Sequence, residues 1–200
     1  MAMANPFDNL TQILAKLPGI GRRSAERVAL ALVRRGGEIT QPLIDALTDL
    51  HENVCVCDLC GSITTRDSNP CRLCSDPARD ASLLCVVEES GDILAIERSG
   101  AFNGVFHTLH GRISPMTASG PDDIRLAELE KRIKDGDFRE VILAIGTDVE
   151  GDATAAYISE RLTRLDVLVS RLALGLPADS GIGYSDPLTL KRAINGRQSV

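Results

Sequence analysis

Four cysteines in the middle of the chain constrain its fold more than any other feature of the sequence. They form two CxxC pairs, Cys57 with Cys60 and Cys71 with Cys74, and ten residues separate the pairs. Four thiolates at this spacing can surround one Zn²⁺ ion as a closed tetrahedral shell, which is typical of a structural site and not of a catalytic one. We therefore expect one structural Zn²⁺ per chain, with all four cysteines as ligands.

Two further cysteines lie outside these pairs. Cys55 can compete with Cys57 as a ligand, but the CxxC spacing favours Cys57. Cys85 lies in an apolar run, residues 83–87, and is expected to be buried in a strand. Disulfides would be typical of a secreted chain, yet the sequence has neither a signal-like apolar start nor an apolar run of membrane-spanning length. We expect a cytoplasmic protein with no membrane partner.

Charge is unevenly distributed along the chain. The formal net charge is −6, but residues 1–37 contain six lysines and arginines and only two acidic residues, which makes this segment +4 and the rest −10. A basic segment on an acidic chain predicts an anionic partner at that end. Aromatic residues make up only 3% and tryptophan is absent, which argues against a protein that binds single strands by base stacking.

Residues 1–54 are predicted to form three helices. The first begins at Asn5 and Pro6, which are typical of an N-cap and a first helical position. Apolar residues then recur every three or four positions, as on the buried face of a helix. Further helices are predicted over residues 22–35, where glycines follow, and from about residue 40.

The segment between the first two helices resembles the helix-hairpin-helix motif of sequence-independent DNA-binding proteins. Gly19 and Gly21 allow a tight turn in which backbone N–H groups point outward at the start of a helix, a favourable place for a phosphate. Arg23 and Arg27 would lie on one helical face and contact the DNA backbone, which gives affinity but no sequence information. The predicted DNA-binding residues are Gly19, Gly21, Arg22, Arg23 and Arg27.

After the cysteines, the sequence alternates between apolar runs and amphipathic segments. This alternation indicates a mostly parallel sheet covered by helices. Strands are predicted at residues 83–87, 93–96, 141–145 and 167–169. Helices are predicted from Pro121 to about Lys134 and from Asp152 to about Leu165.

Acidic residues follow two of the predicted strands: Glu88 after the first, and Asp148, Glu150 and Asp152 after residues 141–145. Carboxylates at the carboxyl ends of parallel strands lie where open α/β sheets bind ligands. The pattern resembles the Toprim domain of topoisomerases and primases, in which a glutamate and a D-x-D pair hold Mg²⁺. Here Gly146 stands at the first D-x-D position, so the resemblance implies a weakened metal site.

The order of these parts resembles the bacterial recombination mediator family RecR over nearly the whole chain. The resemblance is most specific in the segments 17–25, 57–74, 85–89, 107–115 and 150–155 and in the tail segment from Leu174 to Pro177. Residues 181–183 depart from the acidic segment that the family usually has. It implies an α+β multi-part fold with a helix-hairpin-helix, a four-cysteine zinc finger, an α/β Toprim domain and a C-terminal tail. The expected boundaries are 1–54, 55–78, 79–172 and 173–200.

The resemblance also implies a function. Members are expected to be non-enzymatic DNA-binding mediators of recombinational repair that act with RecO and RecF to help load RecA on gapped DNA. They are expected to form homo-oligomers, from dimers to a tetrameric ring. We predict that a rim of unpaired carboxylates recognises a basic RecO-like partner. This predicted partner surface consists of Glu88, Asp148, Glu150 and Asp152.

Two other classes of protein remain open from the sequence. One is a Mg²⁺-dependent Toprim nuclease or primase-like enzyme, although neither Tyr157 nor Tyr184 has an evident nucleophile setting. The other is a zinc-ribbon module that binds RNA or protein, which leaves the hairpin and the acidic residues unexplained. His107 and His110 lie near the acidic residues, and we expect them to pack or hydrogen-bond instead of acting as ligands.

Overall fold

Three helices form the N-terminal part of the chain, close to the predicted positions. They are α1 (Pro6–Leu14), α2 (Arg22–Arg35) and α3 (Thr40–Asn53). The Asn5 side chain caps α1 by accepting a hydrogen bond from Phe7 N at 3.1 Å, and Pro6 occupies the first helical position. α2 ends at Gly36, whose φ of 47° is unfavourable for other residues.

The structure is a computed structural model that describes residues 5–173, 175–176 and 181–197. The chain divides into two compact units, Met1–Val54 and Cys55–Val200. The finer four-part division expected from the sequence remains a prediction. Leu174 and Pro177, which contribute to the tail resemblance, lie outside the described residues.

The fully or nearly buried residues of the N-terminal unit have small side chains. Ala25 and Ala29 of α2 are fully buried, and Thr11 of α1 is nearly so. α3 buries none of its residues, although one of its faces is apolar. Leucines on that face, Leu43 and Leu47 among them, are 39% and 58% exposed. The unit therefore carries apolar surface that its own helices do not cover.

The second unit is built on a parallel sheet, as predicted. Its strands are β3 (Asp80–Val87), β4 (Gly104–Thr108), β5 (Glu140–Ala144) and β6 (Leu168–Arg171), and they follow the chain segment that contains β1 (Val54–Val56) and β2 (Ile63–Thr65). The order in the large sheet is β4-β3-β5-β6. The helices are α4 (Arg72–Ser75), α5 (Ser90–Ser99), α6 (Leu126–Asp135), α7 (Val149–Leu162) and α8 (Pro187–Asn195).

Apolar residues cover both faces of this sheet. Successive residues of β3 point to opposite faces, so Leu84 and Val86 join the larger cluster while Cys85 and Val87 join the smaller one. Burial on both faces explains why the strand is a continuous apolar run. Cys85 is 2% exposed, as expected, and burial raises the pKa of its thiol to about 12.

The order in which the chain forms the strands reverses direction once, at β3 near the centre of the sheet. From β3 the chain passes to β4 on one side, and β5 then returns to the other side of β3. The carboxyl ends of β3 and β5 therefore flank a topological switch point, the usual ligand position in open α/β sheets.

One predicted strand, residues 93–96, is wrong, because this segment belongs to α5. Ile93 and Ile96 contact the smaller core cluster, whereas Leu94 is 63% exposed, which is helical spacing. The Glu89 and Asp92 side chains form a capping box that starts the helix. A run of four apolar residues is too short for periodicity to separate helix from strand, and these local signals decide it.

Other boundaries also differ from the predictions. The helix predicted from Pro121 begins instead at Leu126, after a 3₁₀ turn over Pro121–Asp123. The helix predicted from Asp152 begins at Val149, because the Asp148 side chain caps it. The sequence analysis did not identify β4. None of the helices in the described ranges combines the length and apolar content that a membrane crossing requires.

Candidate functional site

The turn between α1 and α2 presents the start of a helix to solvent. Gly19 has a φ of 77°, and Ile20 N donates to Leu17 O at 3.1 Å to close the turn. Gly21 is the N-cap of α2 and makes no side-chain capping hydrogen bond. The N–H groups of the first turn therefore have no capping side chain, and together with the helix dipole they can bind an anion.

Arginines surround this helix start. Arg22, Arg23 and Arg27 are all exposed. Arg22 lies 3.6 Å from Glu26 in a surface ion pair. Within the described residues, neither Arg23 nor Arg27 forms a salt bridge, so both guanidinium groups can reach a phosphate backbone.

The four paired cysteines come together at one point. The Sγ atoms of Cys57, Cys60, Cys71 and Cys74 all lie within 4.8 Å of one another, and Cys55 is outside the group. The Cys60 and Cys71 sulfurs are 3.5 Å apart. Sulfurs bonded at about 2.3 Å to a tetrahedral zinc ion would be separated by roughly 3.8 Å. The cluster therefore suits a metal ion of this size and geometry.

Hydrogen bonds within the cluster stabilise a thiolate at Cys60, whereas burial raises the pKa of Cys71. A hydrogen bond with the Cys74 thiol lowers the pKa of Cys60 to about 4, and the same bond raises the pKa of Cys74. Backbone N–H groups also point at sulfur: Cys71 N lies 3.3 Å from Cys57 Sγ, and Ser62 N lies 3.4 Å from Cys60 Sγ. Such donors orient and stabilise thiolate ligands.

The cysteine knuckle, residues 57–74, is bonded to the end of β4. Thr108 N donates to Cys60 O at 2.7 Å, and His110 Nε2 lies 2.6 Å from Gly61 O. A Cβ on Gly61, whose φ is 77°, would fall 1.6 Å from an Arg125 nitrogen. The Arg125 side chain could move aside, so it is the positive φ, together with the Thr108 backbone oxygen 3.2 Å from such a Cβ, that favours glycine at this contact.

The acidic edge, defined as Glu88, Asp148, Glu150 and Asp152, lies at the switch point of the sheet. Glu88 follows β3, and its Oε1 accepts a hydrogen bond from Gly146 N at 2.8 Å. Asp148 follows β5, and its Oδ1 accepts from Gly151 N at 2.8 Å. Both strand ends thus contribute a carboxylate that is already bonded to backbone.

Arg112 bridges two carboxylates of this edge. Its Nη1 lies 2.6 Å from Asp148 Oδ2, and its Nε lies 3.1 Å from Glu150 Oε2. The other oxygen of Glu150 accepts a hydrogen bond from Ser114 Oγ. The hydrogen bond to Asp148 raises the pKa of Arg112, while bonds from Gly151 N and Arg112 lower the pKa of Asp148.

Two more arginines hold Asp152. Arg171, at the end of β6, lies 3.0 Å from Oδ1, and Arg192 of α8 lies 2.9 Å from Oδ2. Arg192 Nη2 also donates to Thr147 O at 2.6 Å. The C-terminal helix is thereby attached to the acidic edge.

Both histidines behave as the sequence analysis expects. His107 in β4 is fully buried, and its Nε2 lies 2.9 Å from Arg125 O. Burial lowers the pKa of His107 to about 3, so the ring is neutral. His110 bonds to the knuckle through Gly61 O.

Comparison with known proteins agrees with this arrangement of parts. Family profiles match along the chain: "RecR, helix-hairpin-helix" at residues 7–51, "Toprim domain" at 82–173 and "RecR, C-terminal" at 175–198. Recombination protein RecR of Bifidobacterium adolescentis is 42% identical over 200 residues, which is 100% of this chain and 99% of the relative. The chain belongs to the RecR family.

Further RecR proteins support the assignment over similar lengths. The protein of Desulfosudis oleivorans is 46% identical over 96% of both chains. That of Desulforapulum autotrophicum is 47% identical over 95% of this chain and 94% of the relative. Membership supports a role in recombinational repair, and the helix-hairpin-helix profile supports DNA binding.

The ion pairs of the structure contradict one expectation about the acidic edge, namely that its carboxylates are unpaired. The four acidic residues lie at one sheet edge, but Asp148, Glu150 and Asp152 are not unpaired, because arginines contact each of them. The arginines were missed because all three lie between 19 and 40 residues along the chain from the carboxylates that they contact. The only sequence signal was that Arg112 and Ser114 fall within the RecR-like segment 107–115.

A magnesium ion does not fit this edge as it is built. Mg²⁺ requires several well-placed oxygens in octahedral geometry. Here one oxygen of Glu88 and both oxygens of Asp148 and Glu150 already accept hydrogen bonds or ion pairs. Gly146 supplies no oxygen from a side chain.

Proposed function

We propose that this RecR-family protein is a non-enzymatic mediator of recombinational DNA repair that grips the DNA backbone through its hairpin. The observation that supports this most is the start of α2, where uncapped N–H groups lie beside Arg23 and Arg27, neither in a salt bridge within the described residues. Dipole and guanidinium charges together suit phosphate and read no base sequence.

The test is the salt dependence of DNA binding by the double variant Arg23→Ala/Arg27→Ala. Each lost phosphate contact should reduce the slope of log K against log salt concentration by about 0.9 on duplex DNA. The matched control is Arg34→Ala/Arg35→Ala, which removes the same charge from the other end of α2. Equal slopes in both variants would show that net charge, and not the hairpin, determines binding.

The metal of the knuckle is Zn²⁺, one ion per chain, with a structural role. Four thiolates in a closed shell select a soft ion with tetrahedral preference and leave no open position for a substrate. Metal analysis of the purified protein should return one zinc per chain. A stoichiometric yield of iron, or a well-folded protein free of metal, would contradict the assignment.

Self-association provides several hairpins for one DNA molecule. The apolar face of α3, with Leu47 58% exposed, is the surface that supports assembly from dimer to tetrameric ring. Leu47→Lys should lower the mass measured by sedimentation. The control is Leu94→Lys on α5, where the leucine is 63% exposed. A mass that is unchanged in both would exclude α3 as the contact.

The partners are a basic RecO-like protein and a RecF-like protein, with which this chain helps to load RecA on gapped DNA. It acts in the cytoplasm and is associated with the nucleoid when bound to DNA. The acidic edge fits a basic partner because Asp148 and Asp152 remain 56% and 41% exposed in spite of their arginines. Glu88→Gln should weaken capture of a RecO-like protein, with Glu160→Gln on α7 as the control. Equal capture by both variants would remove the edge from the partner surface.

A second candidate is a Mg²⁺-dependent Toprim nuclease or primase-like enzyme, which the Toprim profile match favours. It requires DNA cleavage or primer synthesis that depends on Mg²⁺ and disappears in Glu88→Gln. Activity that is lost in this variant would replace the non-enzymatic proposal, and activity that survives would show that Glu88 is not required for it.

A further inference from the structure

The guanidinium group of Arg112 lies among the carboxylates of the acidic edge. We propose that the Arg112 guanidinium takes the place that a divalent metal ion has in catalytic Toprim centres, and that it keeps Mg²⁺ out of this one. Toprim carboxylates repel each other unless a positive charge lies between them. In this chain that charge is covalently attached to the protein.

The contacts of Arg112 are those of a bridging cation. Its Nη1 and Nε engage carboxylates from two different residues, Asp148 at 2.6 Å and Glu150 at 3.1 Å. A metal ion in a Toprim centre would likewise have to bind oxygens from more than one carboxylate. The guanidinium and the ion therefore compete for the same oxygens.

The remaining oxygens of these carboxylates are also occupied. Asp148 Oδ1 accepts from Gly151 N at 2.8 Å, and the second oxygen of Glu150 accepts from Ser114 Oγ. Glu88 Oε1 accepts from Gly146 N at 2.8 Å. An entering Mg²⁺ would have to break several of these bonds in addition to losing tightly held water.

Gly146 belongs to the same arrangement. A Cβ at this position would lie 3.1 Å from Glu88 Oε1 and 3.8 Å from Asp148 Oδ1. An aspartate there would add a further carboxylate beside two others, which one guanidinium could not neutralise. The glycine therefore matches a centre whose single bridging cation is an arginine.

Hydrogen bonds hold the residues on both sides of Arg112. On one side, His110 bonds to Gly61 O of the knuckle at 2.6 Å. On the other, Ile113 N donates to Thr154 Oγ1 of α7 at 3.0 Å. These bonds place the backbone of Arg112 between the cysteine knuckle and α7, and from there its guanidinium reaches both carboxylates.

The test is a Mg²⁺ titration of the full-length protein with its cysteine-bound metal left in place. Thermal unfolding is followed with and without about 10 mM Mg²⁺, because a ligand that binds only the folded state raises Tm. The wild type should not respond. Arg112→Gln should be less stable without Mg²⁺ and should gain roughly 2–4 °C with it.

Two further variants keep the test decisive. Arg139→Gln, which breaks the 3.5 Å ion pair with Asp80, should be as insensitive to Mg²⁺ as the wild type. Arg112→Lys retains the charge and should also remain insensitive. Calorimetry of the wild type does not depend on whether Arg112→Gln folds, and Mg²⁺ binding at the acidic edge would overturn the proposal, which requires none there.

Clear outcomes would overturn the proposal. Binding of Mg²⁺ to the wild type that Glu88→Gln abolishes would show that Arg112 and the ion coexist. An Arg112→Gln protein that folds but ignores Mg²⁺ would show that Arg112 is not what excludes the ion. Since neither readout involves DNA or a partner protein, both outcomes are independent of the mediator function.

Discussion

Gly151 is the position at which a single methyl group should disturb the acidic edge most. It lies in the first turn of α7, directly against the loop that follows β5. A Cβ added to Gly151 would lie 2.1 Å from Gly146 O, 2.6 Å from Gly146 C and 3.0 Å from Asp148 Oδ1. The two closest atoms belong to the backbone, so no side-chain rotation can relieve the overlap.

The size of the effect follows from these contacts. Gly151→Ala must move the start of α7 away from the Gly146 loop by about 1 Å, and overpacking of this kind costs roughly 1–3 kcal/mol. The shift also disturbs the cap in which Asp148 accepts from Gly151 N, worth about 1 kcal/mol. Alanine recovers about 1 kcal/mol through its higher helix propensity. We expect a net loss of roughly 1–3 kcal/mol.

Urea unfolding followed by circular dichroism measures this loss. The matched control is Gly91→Ala, which also lies in the first turn of a helix, α5, but has no atom within 4 Å of the added Cβ. The control should be neutral or up to about 1 kcal/mol more stable than wild type. If Gly151→Ala proves as stable as Gly91→Ala, the close approach of α7 to the Gly146 loop is wrong.

Three further predictions have definite expected outcomes. Cys60→Ser should lose the bound metal and much of the thermal stability, because metal binding is coupled to folding, whereas Cys55→Ser should lose neither in metal analysis and thermal unfolding. Burial lowers the pKa of His107 to about 3 in the folded protein, against roughly 6.5 in the unfolded chain. The free energy of unfolding therefore decreases as the pH falls from 6.5 towards 3, because only the unfolded chain then binds a proton at this histidine. The wild type should therefore unfold about 1.4 kcal/mol more easily at pH 5.5 than at pH 7.5, and His107→Gln should show a smaller difference in urea titrations. Arg192→Ala should speed hydrogen exchange in α8, since Arg192 ties this helix to Thr147 and Asp152; unchanged exchange would mean that other contacts hold it.

Local signals made much of the fold predictable. Asn5 with Pro6 starts a helix through hydrogen bonds within one turn, and the glycines at positions 36 and 37 end another within a few residues. The two CxxC pairs predicted a four-sulfur cluster because each pair already brings two ligands together. Such features depend on neighbours in the sequence, and therefore they could be recognised without the fold.

Residues 93–96 and β4 show where local pattern was insufficient. The short apolar run 93–96 fits a strand or a helix, and the cap at Glu89 together with core contacts selects the helix. β4 has as many residues as β5, but Gly104, His107 and Thr108 interrupt its apolar pattern, and the strand forms because it pairs with β3. A strand forms its hydrogen bonds with another part of the chain, so its own sequence is a weak predictor of the strand.

By itself, the sequence determined the types of chemistry present: a glycine turn before a basic helix, a sulfur cluster, and carboxylates after two strands. Only the tertiary structure decided the state of those carboxylates. It brought Arg112, Arg171 and Arg192 to the acidic edge, and the last two are 19 and 40 residues from Asp152. Ion pairs form wherever folding places opposite charges, at any separation along the chain, so the sequence revealed the acids but not the arginines that neutralise them.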